Sequence, residues 1–409
     1  MALPPRTIPR TREADAGAER TSSGEGGSGF SSVRIRLGRV FRSENPDYFL
    51  LAGTTIFLVL FGLVMVLSSS SVESYDGSRD FFSVFLRQGA FVLLGIPAML
   101  LASRLPQKFW MAVAWPALAA SCFLQLLVVA TPLGIEVGGN TNWLSIAGFQ
   151  FQPSEVIKLA LVIWLGLMVT RKEAVLGEFK RGLLPILLVG GAAIGLVMLG
   201  GDLGTVVIMA ISLLGALYLI GVKLRLLVIP VLVGIAGMLA LAIASPNRVT
   251  RILAFFEDGC TDYENTCWQS THGTFALANG GFFGVGLGNS QSKWMWLPAA
   301  DNDYIFAIIG EELGLVGAVV VLVLFVLLAV SFSRILRRAQ TPFGRAATAF
   351  VTIWIVAQAF VNMGVVLGVL PVLGVPLPLI SSGGTALVSG LLAIGIVLSV
   401  ARQSPEVSK

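Results

Sequence analysis

Apolar residues gather in blocks of about twenty, and these cover roughly 47–68, 82–102, 108–131, 154–171, 183–200, 202–220, 223–244, 303–333, 343–368 and 379–402. Short polar stretches punctuate them, and only the "GGDLGT" of Gly200 to Thr205 divides the fifth block from the sixth. A chain crossing hydrocarbon must satisfy its own backbone amides, which a helix does. The pattern predicts an all-α polytopic membrane protein of about ten transmembrane helices. The longest polar interruption, 245–302, becomes one large loop between the seventh and eighth spans.

Composition agrees with this picture: 55% of the 409 residues are hydrophobic and 12% are charged. The first 30 residues are rich in Pro, Gly and Ser, mixed in charge and without an apolar run. They predict a disordered tail rather than a cleaved signal peptide. The expected organisation is a cytoplasmic N-terminal tail over 1–45, a membrane domain over 46–402 and a short cytoplasmic tail over 403–409.

Charge orients the bundle, because Lys and Arg near span ends stay on the cytoplasmic side. Arg34, Arg36, Arg39 and Arg42 precede the first span, and Arg402 follows the last. Every second loop is basic, as at Arg104/Lys108, Arg171/Lys172, Lys223/Arg225 and Arg334/Arg337/Arg338. Both termini are therefore expected in the cytoplasm and the 245–302 loop outside. The net charge of +5 follows from this bias and implies no nucleic-acid partner.

Cys260 and Cys267 fall in the outer loop, where oxidising conditions permit a disulfide, whereas Cys122 lies within the third span. Free thiols, or half of a metal site, are the alternatives, but no second Cys or His pair has zinc spacing. No phosphate-cradling nucleotide motif is present, and His272 is the sole histidine.

Ionisable residues inside apolar blocks carry more information, since an unpaired charge in hydrocarbon is costly. Glu155 and Lys158 in "QPSEVIKLA" stand at i, i+3, so they neutralise each other as a structural ion pair or contact a substrate. Asp202 suits a helix cap. Glu311 and Glu312 lie about 12 Å along a helix from Asp303 and require a partner or a wet cavity.

The Gly-rich "NGGFFGVGLGNS", Asn279 to Ser290, reads as a flexible loop, and Trp294 and Trp296 suit the membrane interface. Asp303 stands at the outer mouth of its span, on a loop that also carries Lys293, Arg248 and Arg251. A carboxylate so placed can take a proton from a hydroxyl while cations hold a diphosphate, or it can simply cap the helix.

The segments "NGGFFGVGLGNSQSKWMWLPAADNDYIFAIIGEELGLVG", "FQPSEVIKLA", "DLGT" and "NMGVVLGVLPVLGVPLPLISSGGTAL" together resemble the SEDS (shape, elongation, division and sporulation) family, and its cell-division branch more than its elongation branch. The resemblance covers about Pro46 to Arg402. It implies a ten-helix peptidoglycan glycosyltransferase of the bacterial cytoplasmic membrane, sited at the division septum. Such an enzyme polymerises lipid II on the outer face, beside a class B penicillin-binding protein, other division proteins and membrane lipids. The family's essential aspartate matches Asp303 and its loop lysine matches Lys293. Its Gln-Pro-Ser-Glu motif and following lysine match Gln152, Pro153, Ser154, Glu155 and Lys158, near the motif tryptophan Trp143.

The chain departs from the family pattern at Asn142 and Gln150, where basic residues are usual, at Asp301-Asn302 before Asp303, and at Gly201. These changes concern the anion-binding set. A divalent cation could share the diphosphate, although no sequence feature demands one. A transporter that flips lipid II is the alternative reading, resting on Glu155, Lys158, Asp202, Glu311 and Glu312 as a polar path.

Overall fold

The computed structural model describes residues 45–137, 140–146, 149–243, 267–294 and 296–403. Each apolar block contains a helix, and among the described residues eight helices are long and apolar enough to cross a membrane. These are α1 (Pro46–Ser78), α2 (Ser83–Ala102), α3 (Gln107–Ala130), α4 (Pro153–Lys172), α5 (Leu184–Leu199), α9 (Ile305–Arg338), α10 (Pro342–Val366) and α11 (Gly384–Gln403). Two further apolar helices are α6 (Leu203–Leu219) and α7 (Leu224–Ile243). A π-helical turn, Phe179–Leu183, leads into α5. The central helices are α4, α10 and α11, which are buried along most of their length, while α2 and α3 expose many apolar side chains as a lipid-facing helix does.

Local chemistry sets the ends. Asn45 caps α1 by accepting from Asp47 N at 3.1 Å, and Pro46 occupies the first helical position, where its missing N–H costs nothing. Asp47 also binds Arg338 and lies 3.8 Å from Arg334, tying the start of α1 to the end of α9. The basic end of the bundle is thereby fixed to an acid at a helix N-terminus, where negative charge is favoured.

One element departs from the all-α expectation, and one further helix adds to the expected spans. The polar stretch after α3 forms an antiparallel sheet, β1 (Gly134–Val137), β2 (Asn140–Ile146) and β3 (Phe149–Phe151), in that order. Burial alternates along β2, with Asn142 and Leu144 buried and Trp143 and Ser145 half-buried, as successive strand side chains on opposite faces require, and Trp143 stands opposite Ile135. Thr141 N donates to Gly200 O at 3.0 Å, docking the sheet on the turn between α5 and α6. The second addition is α8 (Trp268–Gly280), inside the long polar interruption.

Helix α9 is 34 residues long and breaks at Gly314, whose φ of 68° and ψ of −165° are inaccessible to other residues without strain. The turn after α8 mends the broken hydrogen-bond ladder. Val285 N and Gly286 N donate to Glu311 O and Glu312 O at 2.9 and 3.0 Å, while Leu315 N and Val316 N donate to Gly281 O and Phe282 O at 2.9 and 3.2 Å. A β-carbon on Gly314 would lie 2.4 Å from Gly284 N, so the close approach also requires glycine there. The sequence-level reading of Asn279 to Ser290 as a flexible loop is therefore replaced by a turn whose amides and carbonyls are committed to α9.

Candidate active site

The N-termini of α4, α6, α9 and α11 meet at the end of the bundle opposite Arg338. Asp202 caps α6, its Oδ1 accepting from Thr205 N at 2.9 Å, and its Oδ2 accepts from Gln152 Nε2 at 2.9 Å. Gln152 precedes α4, and its backbone N–H donates to Thr385 Oγ1 in the first turn of α11 at 3.4 Å. One residue, through its side-chain amide and its backbone N–H, thus links three helix starts.

Asp303 enters the same region from the start of α9. It is not the cap, because Tyr304 occupies that position and no side chain there accepts a capping bond. Asp303 is held instead through its backbone: Asn362 Nδ2 donates to Asp303 O at 2.7 Å and to Val375 O at 2.8 Å. This leaves the carboxylate free to face Gly374, whose missing β-carbon would lie 3.6 Å from Oδ2. Glycine keeps the space before the acid open.

The extended chain between α10 and α11 completes the wall. Pro376, Pro378 and the left-handed Leu379 postpone α11 to Gly384, later than the apolar pattern implies. Ser381 Oγ accepts from Leu377 N at 2.8 Å and donates to Asn302 O at 2.7 Å, and Ser382 Oγ donates to the Asp301 carboxylate. Gln88 of α2 brackets the turn by donating to Ser381 O and accepting from Gly383 N.

Burial pushes the Asp303 carboxyl up to about 7, and the neighbouring acids Asp202 and then Asp301 push in the same direction. Burial also raises Asp301, against the hydrogen bond from Ser382 that favours its charged form. A half-buried carboxyl that titrates near neutrality, beside two other acids, is suited to accept a proton from a hydroxyl.

The remaining sequence candidates are distributed more widely. Lys158 Nζ pairs with Glu155 Oε1 at 2.6 Å inside the bundle, donates to Gln358 Oε1 at 3.3 Å and lies 4.8 Å from the ring centre of Trp354. Gln358 Nε2 in turn donates to Pro376 O at 2.9 Å, joining this pair to the wall of the site. Glu155 borders a cavity of about 20 Å³, room for roughly one water. Ser154 is buried beside it.

Trp143 is half-buried in β2, and the amide of its neighbour Asn142 is turned to Gly200 O and Thr141 O. Lys293 is placed with Glu312 rather than beside Asp303, at 3.5 Å. Arg248, Arg251 and Cys260 lie outside the described residues, and Cys267 is disulfide-bonded. Among the described residues no group of three or more His, Cys, Asp or Glu is arranged to hold a metal ion.

Sequence reasoning gave no role to Asn362, Gln358, Ser381, Ser382 or Gly374. Their signal was present as polar and glycine interruptions of an otherwise apolar C-terminal third, at Gln358, Asn362 and "LPLISSGG".

Residues 49–406 match the family described as cell cycle protein, FtsW/RodA/SpoVE. The chain belongs to the FtsW/RodA/SpoVE family. It is 36% identical over 378 residues to a probable peptidoglycan glycosyltransferase FtsW of Mycobacterium tuberculosis, covering 92% of this chain and 72% of that one. It is 38% identical over 357 residues to a protein of the same description from Thioalkalivibrio sulfidiphilus, covering 86% and 89%. Among solved structures, the rod shape determining protein RodA of Thermus thermophilus shares its fold, with a TM-score of 0.64 at 24% identity, over 87% of this chain and 97% of that one. A chain from a structure of a peptidoglycan synthase complex that coordinates polymerization and crosslinking superposes with a TM-score of 0.68 at 24% identity, over 89% and 99%. The FtsW/RodA/SpoVE assignment thus rests on nearly the full described length.

Proposed function

We propose that this FtsW/RodA/SpoVE protein is a peptidoglycan glycosyltransferase that polymerises lipid II during cell division, with Asp303 as its base. The observation that carries the reading is the placement of the Asp303 carboxyl, held through its backbone by Asn362 and facing the open space before Gly374, where burial and then Asp202 and Asp301 raise it to about 7. The FtsW relatives supply the reaction class. In this reaction the 4-hydroxyl of a lipid-linked disaccharide gives its proton to Asp303. Its oxygen then bonds to the anomeric carbon of the growing glycan, and the bond from that carbon to undecaprenyl diphosphate breaks, releasing the diphosphate with its electron pair.

The leaving group needs positive charge, and the converging N-termini of α4, α6, α9 and α11 contribute partial charge of that sign. Full cations come in this reading from Arg248 and Arg251 of the same outer loop. Gln152, Ser154, Glu155, Lys158 and Trp143 form the substrate-facing wall and its support, with Gln152 orienting Asp202. Lys293, paired with Glu312, is not among these cations.

The basic loops support a ten-span bundle with both termini in the cytoplasm and Asp303 at the outer membrane surface. A class B penicillin-binding protein is the proposed partner, and the septum the proposed location. A lipid II flippase would use the Glu155–Lys158 pair as part of a wet passage. The Asp303 carboxylate at the helix starts, facing the space before Gly374, has no evident use in a passage and favours the polymerase. Purified chain given lipid II, with and without the penicillin-binding partner, separates the two. Glycan ladders support the polymerase, and lipid flipping without ladders in both conditions overturns it.

A further inference from the structure

Lys293 spends its charge away from Asp303. The side chain is 5% exposed, lies 3.5 Å from Glu312 Oε1 and donates to Gly288 O. Glu312 is fully buried, and its two oxygens accept from Ser68 Oγ of α1 at 2.6 and 2.7 Å and from Ser290 N at 3.4 Å. Glu311 beside it accepts from Asn279 Nδ2 at 2.9 Å, Ser290 Oγ at 2.5 Å, Gln291 N at 3.1 Å and Ser292 N at 3.4 Å. Two adjacent buried carboxylates thereby gather donors from α1, α8 and the loop that follows α8.

Buried carboxylates with this many donors hold those donors tightly, because each alternative leaves a charge or an amide unpaired in an apolar setting. The chain from Lys293 to Asp303 cannot easily absorb a shift of its first residue. Leu297 N donates to Ser292 O at 3.0 Å and Tyr304 N to Ala299 O at 3.1 Å, folding the segment upon itself, and Gln269 Nε2 of α8 donates to Pro298 O at 3.1 Å, tying it to that helix.

We propose that Glu311 and Glu312 are positioning residues: through Ser290, Lys293 and Ser68 they fasten the loop to α9 and α1 and so hold Asp303 where a substrate hydroxyl reaches it. The proposal rests on the reading of Asp303 as the base. It makes Lys293 the buried counter-ion of Glu312 rather than a ligand of the diphosphate.

The test compares Lys293→Met, Glu312→Gln and the double variant in the purified full chain, by polymerisation kinetics on lipid II and by hydrogen exchange of residues 284–303. Each single variant is expected to lower kcat about a hundredfold with KM within a few-fold, since a displacement of about 1 Å is enough for that. Exchange in the loop should rise at least tenfold. The double variant removes both charges together, and it is expected to regain most of the lost kcat and loop protection.

A double variant as slow as Lys293→Met with a protected loop would show that Lys293 acts on the substrate, overturning the proposal. Unchanged exchange in both single variants overturns it as well. If the single variants do not fold, Ser290→Ala and Ser68→Ala take their place. Both should raise loop exchange to a smaller degree, and no rise in either refutes the fastening. Faster loop exchange in Lys293→Met together with a fully active Asp303→Asn would retain the fastening and remove only the assignment of the base.

Discussion

Lys158 Nζ sits 2.6 Å from Glu155 Oε1, with both side chains buried in the middle of the helix bundle. The pair stands one turn inside the N-terminus of α4, whose preceding residue, Gln152, holds Asp202. Lys158→Ala leaves Glu155 charged and unpaired, and should cost roughly 3–5 kcal/mol of stability. A lower Tm in detergent, with a polymerisation rate that falls further than the loss of folded protein explains, is the expected result. Normal Tm and full activity would deny the pair any role.

Gly314 is the point where α9 breaks and the turn at Gly284 enters. Gly314→Ala places a methyl group 2.4 Å from Gly284 N on a backbone conformation that disfavours it, so a destabilisation of at least about 2 kcal/mol is expected. Loop protection and polymerisation should fall together. A neutral effect on Tm would mean that the break at Gly314 is not required.

Cys267 is disulfide-bonded, and Cys122 is free. The sequence proposes Cys260 as the partner of Cys267. Closing a loop of this length contributes roughly 2–3 kcal/mol by chain entropy. Alkylation of the unreduced chain should then label Cys122 alone, with Tm falling on reduction. Labelling of Cys260 in the unreduced protein contradicts the pairing.

The raised carboxyl of Asp303 also makes a statement about stability. Its folded value of about 7 lies above the ordinary 3.8, so between these limits the folded chain holds a proton that the unfolded chain has lost. The contribution of Asp303 to stability is therefore most favourable at low pH and declines as pH rises towards 7. Asp303→Asn should raise Tm at pH 8, and the gain should shrink as pH is lowered from 7 towards 4. An offset independent of pH across that window contradicts the shift.

Much of this architecture is legible in the sequence, because a span is a local property: twenty apolar residues declare themselves without reference to the rest of the fold. The positions of Glu155, Lys158 and Asp202 are legible for a similar reason, since a charge in an apolar block demands a partner within a turn or a cap. What the sequence concealed depends on distant neighbours. Asn362 reads as one polar residue in a long helix until the fold brings Asp303 O and Val375 O to it. Gly314 reads as one small residue among several, and its turn partner lies thirty positions upstream. Lys293 was drawn to Asp303 by proximity along the chain, whereas the fold sends it to Glu312. The strands escaped notice because three to seven residues give a weak alternation beside helices of twenty or more.

The most direct test of the central claim is the rate of lipid II polymerisation by the purified chain across pH 5 to 9, for the wild type and for Asp303→Asn, with Tm and lipid II binding measured alongside. If Asp303 is the base, the wild-type rate rises about tenfold per pH unit below 7 and levels off above it. Asp303→Asn then stays folded, binds lipid II and makes almost no glycan at any pH. A wild-type profile that is flat through pH 7, or glycan synthesis by Asp303→Asn within a few-fold of wild type, contradicts the assignment.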